Sequence, residues 1–308
     1  MRLGLGLAAL GRPAYINLGR EGALPAERTV EAMRQASWRV LDAAYAAGVR
    51  WIDVARSYGL AEEFLAGWLA ERRVVDLTIS SKWGYAYVGG WRMDADVHEV
   101  KQHSLAQFSA QWAQTRALLG DKVALYQVHS LTLDSPLFTD KPLLEALAEL
   151  GSHGVRVGLS TSGSAQAHIV ERALALEVAG RSIFTAVQST WNVLEPSVGR
   201  ALQHAHGAGI LVLVKEVLAN GRLAAQAPAP LAEIAQRHAV TPDAVAIAAA
   251  LRQPWADTVL LGPVSTEQLS SNLDALHVEL DEQEQQRLDA LAEPAHDYWR
   301  LRGELPWQ

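Results

Sequence analysis

The chain has 308 residues, of which 49% are hydrophobic and 20% charged, so it can bury a packed core and is not of the disordered class. A formal net charge of −7 argues against a basic face, and we expect no nucleic-acid partner. The absence of cysteine excludes disulfides, thiolate metal sites and a cysteine nucleophile.

Membrane and export signals are weak. No apolar run approaches the roughly 20 residues that span a bilayer, so we expect no membrane partner. Arg2 and the apolar run Leu3–Leu10 look faintly like a signal peptide, but Gly11-Arg12-Pro13 follows instead of small cleavage-site residues. The run is better interpreted as a buried first strand of a cytoplasmic protein.

Short apolar runs alternate with longer helical patterns along the chain. The runs are nearly continuous, which is typical of parallel strands buried on both faces. The predicted strands are Leu3–Ala8, Arg50–Ala55, Leu77–Lys82, Val123–His129, Val155–Ser160, Phe184–Gln188, Ile210–Lys215 and Thr258–Gly262. The predicted helices are Glu27–Ala47, Glu62–Arg73, His98–Leu119, Pro142–Leu150, Ala165–Val178, Ser197–Ala208, Pro230–His238 and Pro242–Arg252.

Eight strands that alternate with helices predict an α/β fold, specifically a (β/α)8 TIM barrel formed by residues 1–308 as a single domain. An open doubly wound sheet is the structural alternative. The glycine-bearing, aromatic segment Trp83–Val97 is predicted to be a loop over the barrel mouth. The tail His296–Gln308 is expected to pack on the barrel surface, and the alternative is that it covers the active site.

Gly4–Ala9 matches the dinucleotide pattern G-x-G-x-x-A, but that motif needs a strand before it and a helix after it. Only three residues precede Gly4, and Gly11 and Pro13 interrupt any following helix. We therefore interpret the segment as a glycine-rich barrel strand.

Four polar residues coincide with predicted strand ends. Asp53 lies near the end of the second strand with Tyr58 five residues later, while Lys82 closes the third strand and His129 the fourth. In a barrel these ends converge on one mouth, where barrel enzymes place their chemistry. Each residue alone is weak evidence, but a carboxylate, a phenol, an ammonium and an imidazole at one rim predict an active site.

These motifs resemble the aldo-keto reductase family along essentially the whole chain. The matching segments are Asp53–Gly59 with Glu62-Glu63, Ser81–Gly84, Tyr126–His129, Gly158–Ser160, Val187-Gln188 and Gly262–Asn272. The resemblance implies reduction of a small-molecule aldehyde or ketone by a nicotinamide cofactor, with Asp53, Tyr58, Lys82 and His129 as the catalytic tetrad. Tyr58 would be the general acid, Lys82 would lower its pKa, Asp53 would hold Lys82, and His129 would orient the carbonyl.

The resemblance also implies cofactor contacts. Ser160, Thr161 and Gln188 match positions that hold the nicotinamide carboxamide, although the family usually has asparagine in place of Thr161. Lys215 falls where many relatives carry an aromatic residue that stacks on the ring. A lysine cannot stack and would disfavour the cationic oxidised ring, and an ion pair with Glu216 is the alternative interpretation.

Gly262–Asn272 is suited to bind an anion. After the turn at Gly262, Ser265 begins a predicted capping box with Gln268, and the helix N-terminus would face a phosphate, with Asn272 completing the segment. No lysine or arginine lies between Arg252 and Arg287, so Arg222 is the nearest candidate for a phosphate contact. The resemblance to the family implies NADP as the cofactor, with NAD as the alternative.

No metal site is expected, and His98, His103, His204 and His206 are interpreted as solvated residues of helices. Two other functions stay open: a barrel lyase or aldolase that forms a Schiff base on Lys82 or Lys215, and a cofactor-binding regulatory subunit with little turnover. The aromatic residues Trp83, Tyr85, Tyr87, Trp91 and Trp191 predict an aromatic-lined pocket. The sequence identifies neither the substrate nor the oligomeric state.

Overall fold

The computed structural model describes residues 1–19 and 21–307. In this part of the chain the strands are β1 (Leu3–Gly6), β2 (Trp51–Asp53), β3 (Thr78–Trp83), β4 (Tyr85–Tyr87), β5 (Glu99–Lys101), β6 (Val123–Leu131), β7 (Arg156–Thr161), β8 (Glu177–Val178), β9 (Arg181–Ser182), β10 (Ala186–Thr190), β11 (Leu211–Lys215) and β12 (Thr258–Leu261). The helices are α1 (Val30–Ala46), α2 (Ala61–Arg72), α3 (Leu105–Leu119), α4 (Lys141–Ser152), α5 (Gln166–Leu174), α6 (Gly199–Gly207), α7 (Ala229–Arg237), α8 (Pro242–Leu251), α9 (Thr266–Leu273), α10 (Glu282–Asp289) and α11 (Ala295–Gly303).

Eight parallel strands close into a barrel in the order β1-β2-β3-β6-β7-β10-β11-β12, and β12 pairs with β1. The predicted (β/α)8 barrel is therefore confirmed, and the open sheet is not formed. All eight predicted strands are present with boundaries shifted by up to two residues, most clearly at β10, which begins at Ala186 and not at Phe184. The Gly4–Ala9 segment contributes strand β1, as expected.

Two apolar clusters support the barrel. The larger one joins the strands to the surrounding helices, and the smaller one contains Leu125, Ala186, Leu213 and Leu260 from four barrel strands. A Cβ on Gly4 would lie 2.8 Å from Leu260, so the close approach of β1 to this cluster requires glycine. Among the described residues, no helix has the length and apolar composition needed to cross a bilayer.

Two predicted segments are wrong in type. Residues 98–104 are not helical, because β5 pairs antiparallel with β4 and α3 begins only after Ser104, whose side chain accepts from the Gln107 amide. The expected loop Trp83–Val97 therefore contains one strand of a hairpin. The predicted helix Ala165–Val178 ends at Leu174, and β8 and β9 form a hairpin whose turn residues Ala179 and Gly180 both have positive φ.

The loop after β1 packs directly on the loop after β2. The Leu60 amide donates to the Gly11 carbonyl at 2.7 Å, and a Cβ on Gly11 would lie 2.2 Å from the Tyr58 carbonyl oxygen. Gly59 has a φ of +61°, and a Cβ there would lie 2.4 Å from the Gly11 carbonyl oxygen. Neither glycine accepts a side chain without displacement of backbone, so this contact fixes the backbone on both sides of Tyr58.

The Gly11→Ala substitution is expected to lower the free energy of unfolding by about 3 kcal/mol, because the added methyl group overlaps backbone atoms that cannot move independently. Chemical denaturation measures the loss. Gly207→Ala is the matched control, since a Cβ at this position on α6 meets nothing within 4 Å. Equal stability of the two variants would show that the loops separate readily.

Candidate active site

A cavity of about 360 Å³ opens at the carboxyl ends of the barrel strands. This volume lies in the range of roughly 300–1,000 Å³ that is usual for ligand pockets. Of the catalytic and cofactor-binding residues predicted from the sequence, those that line it are Asp53, Tyr58, His129, Gln188, Lys215 and Gly262. Lys82 lies directly behind them, 1% exposed.

Asp53 is a buried carboxylate with four side-chain partners. It pairs with the Lys82 ammonium, and it accepts hydrogen bonds from Ser80 Oγ at 2.7 Å, Gln188 Nε2 at 3.1 Å and Gln127 Nε2 at 3.3 Å. The Lys82 ammonium also donates to the Val54 carbonyl at 3.2 Å. The pair is therefore both charge-balanced and hydrogen-bonded, as a buried ion pair requires.

Tyr58 lines the cavity beside this ion pair. The Lys82 ammonium nitrogen lies 4.8 Å from the centre of the Tyr58 ring. Burial raises the pKa of the Tyr58 hydroxyl well above its ordinary value, and the negative charge of Asp53 raises it further, while the guanidinium of Arg12 lowers it. Desolvation outweighs the neighbouring cations in the free protein, so the net shift of this pKa is upward, and the expected lowering by Lys82 stays a prediction. Tyr58 remains a protonated phenol.

His129 meets Tyr58 edge to face, with ring centres 5.4 Å apart and an angle of 82°. Its Nδ1 lies 3.2 Å from Ser57 Oγ, and its carbonyl oxygen lies 2.9 Å from His103 Nε2. Burial lowers the pKa of His129 well below its ordinary value, and the positive charges of Lys82, Lys215 and Arg12 lower it further. The imidazole is therefore neutral, and only one of its two ring nitrogens carries a proton.

Two of the four histidines that were expected to be solvated on helices are buried. His103 lies in the turn before α3, is 3% exposed and is neutral, because burial lowers its pKa to about 4. His98 is also buried, at 7%, so neither is the solvated helical residue that was expected. His204 and His206 do lie exposed on α6.

Lys215 belongs to a second charged group at the end of β11. Its ammonium donates to Thr190 Oγ1 at 2.8 Å and lies 3.7 Å from Glu216 Oε1, so it both lines the cavity and forms the alternative ion pair. Glu216 also accepts two hydrogen bonds from the Arg302 guanidinium, at 2.6 and 3.2 Å. Burial lowers the pKa of Lys215 to about 8, and the charge of Arg302 holds the pKa of Glu216 at about 2.

The residues expected to hold a carboxamide are bonded within the protein. Ser160 Oγ accepts from the Ser130 amide at 2.8 Å, which anchors a backbone with a positive φ next to His129. Thr161 Oγ1 lies 2.8 Å from Ser189 Oγ, and Gln188 donates to Asp53. Gln188 still lines the cavity, together with Ser162, which sequence reasoning did not select.

The segment expected to bind an anion is only partly arranged as predicted. Ser265 caps α9 by accepting from the Gln268 amide at 3.2 Å, but Gln268 Oε1 accepts from the Val264 amide and does not complete a capping box. Asn272 donates to Asp243 Oδ2 at 2.6 Å and so supports the helix. Arg222 forms an ion pair with Glu293 instead of an open cationic site.

Arg12 is the main site residue that sequence reasoning missed. It lines the cavity at 1% exposure, donates to Glu99 Oε1 at 2.8 Å and to the Ser57 carbonyl at 3.1 Å. Its guanidinium lies 5.3 Å from the centre of the Tyr58 ring. No periodic pattern marks this residue, because it follows a strand in an irregular loop.

The tail crosses the cavity, so the expectation that it packs on the outer barrel surface is wrong. Arg302, Leu305 and Trp307 line the cavity, and the Trp307 ring stacks on His98 with centres 4.2 Å apart. Gln308 lies outside the described residues. The ion pair between Arg302 and Glu216 and the stacking of Trp307 on His98 hold the tail in this position.

The aromatic lining also differs from the expected one. Tyr85 lines the cavity as predicted, and Tyr15 and Trp307 join it. The other predicted aromatic residues pack elsewhere: Trp83 on Phe108, Trp91 on Phe64 and Trp191 on Trp255. The Tyr87 hydroxyl accepts a hydrogen bond from the Trp91 backbone amide.

Comparison with known proteins agrees with this architecture. The model of the aldo/keto reductase family matches residues 2–293. Protein tas of Escherichia coli (strain K12) is 28% identical over 309 residues, covering 82% of this chain and 86% of that protein. Aldo-keto reductase str7 of Strobilurus tenacellus is 26% identical over 292 residues, covering 83% and 81%.

Among solved structures, the aldo-keto reductase AKR11C1 from Bacillus halodurans in its holo form superimposes with a TM-score of 0.68. The two chains are 21% identical, and the match covers 96% of this chain and 93% of the other, so it shows a shared fold. The family match extends over nearly the whole chain and confirms the resemblance seen in the strand-end motifs. The chain belongs to the aldo/keto reductase family and is an oxidoreductase of that family.

Proposed function

We propose that this protein reduces an aldehyde or ketone to an alcohol, with Tyr58 as the general acid and a reduced nicotinamide dinucleotide as the hydride donor. One observation carries the proposal: the Tyr58 phenol and the neutral His129 imidazole meet edge to face, with ring planes at 82°, on one cavity wall beside the buried Lys82–Asp53 pair. A phenol hydroxyl, together with an imidazole in the tautomer that can donate to the cavity, suits an oxygen on which negative charge develops.

The cavity wall fits a nicotinamide dinucleotide. Gln188 and Ser162 offer polar groups, and Asn220 Oδ1 is a buried acceptor that finds no partner among the described residues. Such an acceptor suits the amide or hydroxyl donors of the cofactor. At Gly262 a Cβ would meet nothing within 4 Å, which leaves room for a bulky group beside the backbone. When bound, the reduced nicotinamide supplies the hydride.

Membership of the family favours NADPH as the cofactor, and NADH is the alternative. The charges near α9 do not favour a 2′-phosphate strongly, because Arg222 is paired with Glu293 and Glu267 lies in the first turn. Titration with NADPH and NADH separately decides between them. Ser160, Thr161, Ser265, Gln268 and Asn272 then act in this proposal by supporting the cofactor site and not as free ligands.

The proton step follows from the protonation states. The raised pKa keeps Tyr58 protonated, so its hydroxyl can donate to the carbonyl oxygen beside a neutral His129. An alkoxide is a stronger base than a phenolate, so the proton moves from Tyr58 to that oxygen as the alkoxide forms. The phenolate that remains lies beside the Lys82 ammonium, which Asp53 holds in place. The site thus stabilises charge only where the reaction creates it.

The Tyr58→Phe substitution is expected to lower kcat for benzaldehyde or glyceraldehyde by about 100-fold or more, since general acid catalysis is worth roughly 10²–10⁴-fold. Cofactor affinity is expected to stay within twofold. Steady-state kinetics and fluorescence titration measure the two quantities. Tyr45→Phe is the control, because Tyr45 lies on α1 and its hydroxyl bonds Asp76. Undiminished turnover by Tyr58→Phe would remove Tyr58 from the mechanism.

The Lys82→Met substitution is expected to suppress reduction and to destabilise the fold by about 3–5 kcal/mol, because it leaves Asp53 as an unpaired buried charge. The double variant Asp53→Asn with Lys82→Met is expected to recover most of the stability but none of the activity. Denaturation curves and turnover assays separate these effects. Recovery of activity in the double variant would show that Lys82 serves only the fold.

Lys215 is expected to discriminate between the redox forms of the cofactor. Glu216 is shared between Lys215 and Arg302, so the group keeps one net positive charge at the cavity wall. Two like charges 8 Å apart repel by about 2 kcal/mol at an effective dielectric of about 20, before screening by salt. Only the oxidised nicotinamide is cationic, so the charged lysine should disfavour that form.

The Lys215→Met substitution is therefore expected to raise the affinity for NADP⁺ about tenfold more than the affinity for NADPH at pH 7. Lys122 lies on an exposed turn, so the control Lys122→Met should change neither affinity. The pKa of about 8 gives the pH dependence: in the parent protein the discrimination is nearly full one pH unit below this value, about half lost at pH 8 and absent well above it, as the ammonium loses its proton. Calorimetric titration of both forms is the measurement. Equal changes for both redox forms would place Lys215 away from the ring.

One observation favours a second candidate, a Schiff-base enzyme. The lowered pKa of Lys215 leaves part of its amine uncharged near neutral pH, and its side chain reaches the cavity. Incubation with an aldehyde and borohydride, followed by peptide mass analysis, tests it. Trapping on Lys215 without any turnover of reduced cofactor would favour the lyase or aldolase.

A further inference from the structure

The tautomer of His129 decides what this residue can offer to a ligand. Its pKa is far below the ordinary value, so the ring carries a single proton. If Nε2 holds that proton, the ring can donate to an oxygen in the cavity. If Nδ1 holds it, the ring presents only a lone pair there, which would repel a carbonyl oxygen.

Ser57 is the group that distinguishes the two tautomers. Its hydroxyl lies 3.2 Å from His129 Nδ1, and it finds no other side-chain or backbone partner among the residues that the structure describes. Ser57 is 1% exposed, so water offers little compensation. A hydroxyl has one proton to donate and lone pairs to accept with, and an unused buried donor costs about 1–3 kcal/mol.

Only one tautomer uses the Ser57 proton. With the proton on His129 Nε2, Ser57 donates to Nδ1, and both groups are satisfied. With the proton on Nδ1, that nitrogen donates to Ser57 Oγ, and the serine hydrogen is buried without an acceptor in the described structure. The first arrangement is therefore favoured by the cost of one unmade hydrogen bond.

The backbone around this contact is held from both sides. Arg12 donates to the Ser57 carbonyl at 3.1 Å, and His103 Nε2 lies 2.9 Å from the His129 carbonyl. The Ser130 amide donates to Ser160 Oγ at 2.8 Å. With both backbones fixed, the Ser57 hydroxyl and the imidazole can exchange partners only by rotating side chains, and burial restricts that rotation.

We infer that Ser57 is a positioning residue that holds His129 as the Nε2–H tautomer by donating a hydrogen bond to Nδ1. The inference about the tautomer concerns the free protein, while its catalytic consequence rests on the proposed reductase function. Ser57 does not touch the cavity, and it acts through His129. The neighbouring Tyr58 keeps its own role as proton donor.

The direct test is nitrogen NMR of protein labelled with ¹⁵N-histidine, with the His129 signals assigned by their loss in His129→Gln. In the parent protein we expect Nε2 to give a pyrrole-type signal and Nδ1 a pyridine-type signal shifted by hydrogen bonding. A pyrrole-type Nδ1 in the parent protein overturns the inference, whatever the variants do.

Substitutions of Ser57 then measure the effect of its hydroxyl group on His129 and on turnover. Ser57→Ala should move the Nδ1 signal toward that of an unbonded nitrogen and lower kcat about tenfold with unchanged cofactor affinity, and Ser57→Thr should restore both. Ser37→Ala, which removes another buried hydroxyl in α1, is the control for stability. In the His129→Gln background Ser57→Ala should add no further loss, because an amide has no tautomers.

The outcomes separate the two hypotheses. His129 signals unchanged by Ser57→Ala, or an equal loss of kcat in the His129→Gln background, overturn the role of Ser57. If the parent protein shows the Nε2–H tautomer and its dependence on Ser57 but reduces no carbonyl compound, the tautomer inference stands and the proposed reductase function fails.

Discussion

The buried pair of Asp53 and Lys82 is the constraint on which the rest of the site depends. Moving two charges out of water costs several kcal/mol for each ion, and their attraction offsets this only when the remaining hydrogen-bonding positions are also filled. This explains why Ser80, Gln127 and Gln188, all inside a barrel, are polar. Below them the small cluster of Leu125, Ala186, Leu213 and Leu260 is apolar. The barrel interior thus contains a polar layer around the ion pair and an apolar layer formed by these four residues.

The same desolvation sets the protonation of the two groups in front of the pair. Burial raises the pKa of the Tyr58 phenol and lowers that of the His129 imidazole, so both are neutral although Lys82, Arg12 and Lys215 lie near. Each of these cations has a carboxylate partner: Asp53, Glu99 or Glu216. At Tyr58 the carboxylates of Asp53 and Glu99 oppose the effect of these cations, so the cations do not ionise the phenol in the free protein. Ionisation becomes favourable only when a stronger base forms in the cavity, which suits a general acid.

The sequence was sufficient for the features that depend on periodicity. Buried parallel strands are apolar along their length, so Asp53, Lys82 and His129 were conspicuous at strand ends, and the barrel brought them together. Features that depend on irregular backbone were not predicted. Arg12 follows β1 in a loop, and β4, β5, β8 and β9 are too short to show a period.

The cofactor positions taken from the resemblance were predictable only in part. Ser160 and Thr161 end strand β7 and Asn272 lies on α9, but the partners of their side chains could not be inferred from the sequence. In the structure these partners are Ser130, Ser189 and Asp243, which lie 30, 28 and 29 residues away along the chain. Position along a strand fixes which face a side chain occupies, whereas its hydrogen-bond partner depends on which residue of the neighbouring strand or helix lies opposite, and no motif describes that.

The tail shows how distant segments complete the cavity. Arg302 on α11 binds Glu216, the residue after Lys215, so one carboxylate joins the end of β11 to the end of the chain. At the other side Trp307 stacks on His98 and lies 4.9 Å from the Arg12 guanidinium. Arg12 in turn holds the Ser57 carbonyl, next to Tyr58. The tail therefore contacts the charged group at β11 directly and reaches the backbone beside Tyr58 through Arg12, so the two sides of the cavity are joined by the end of the chain.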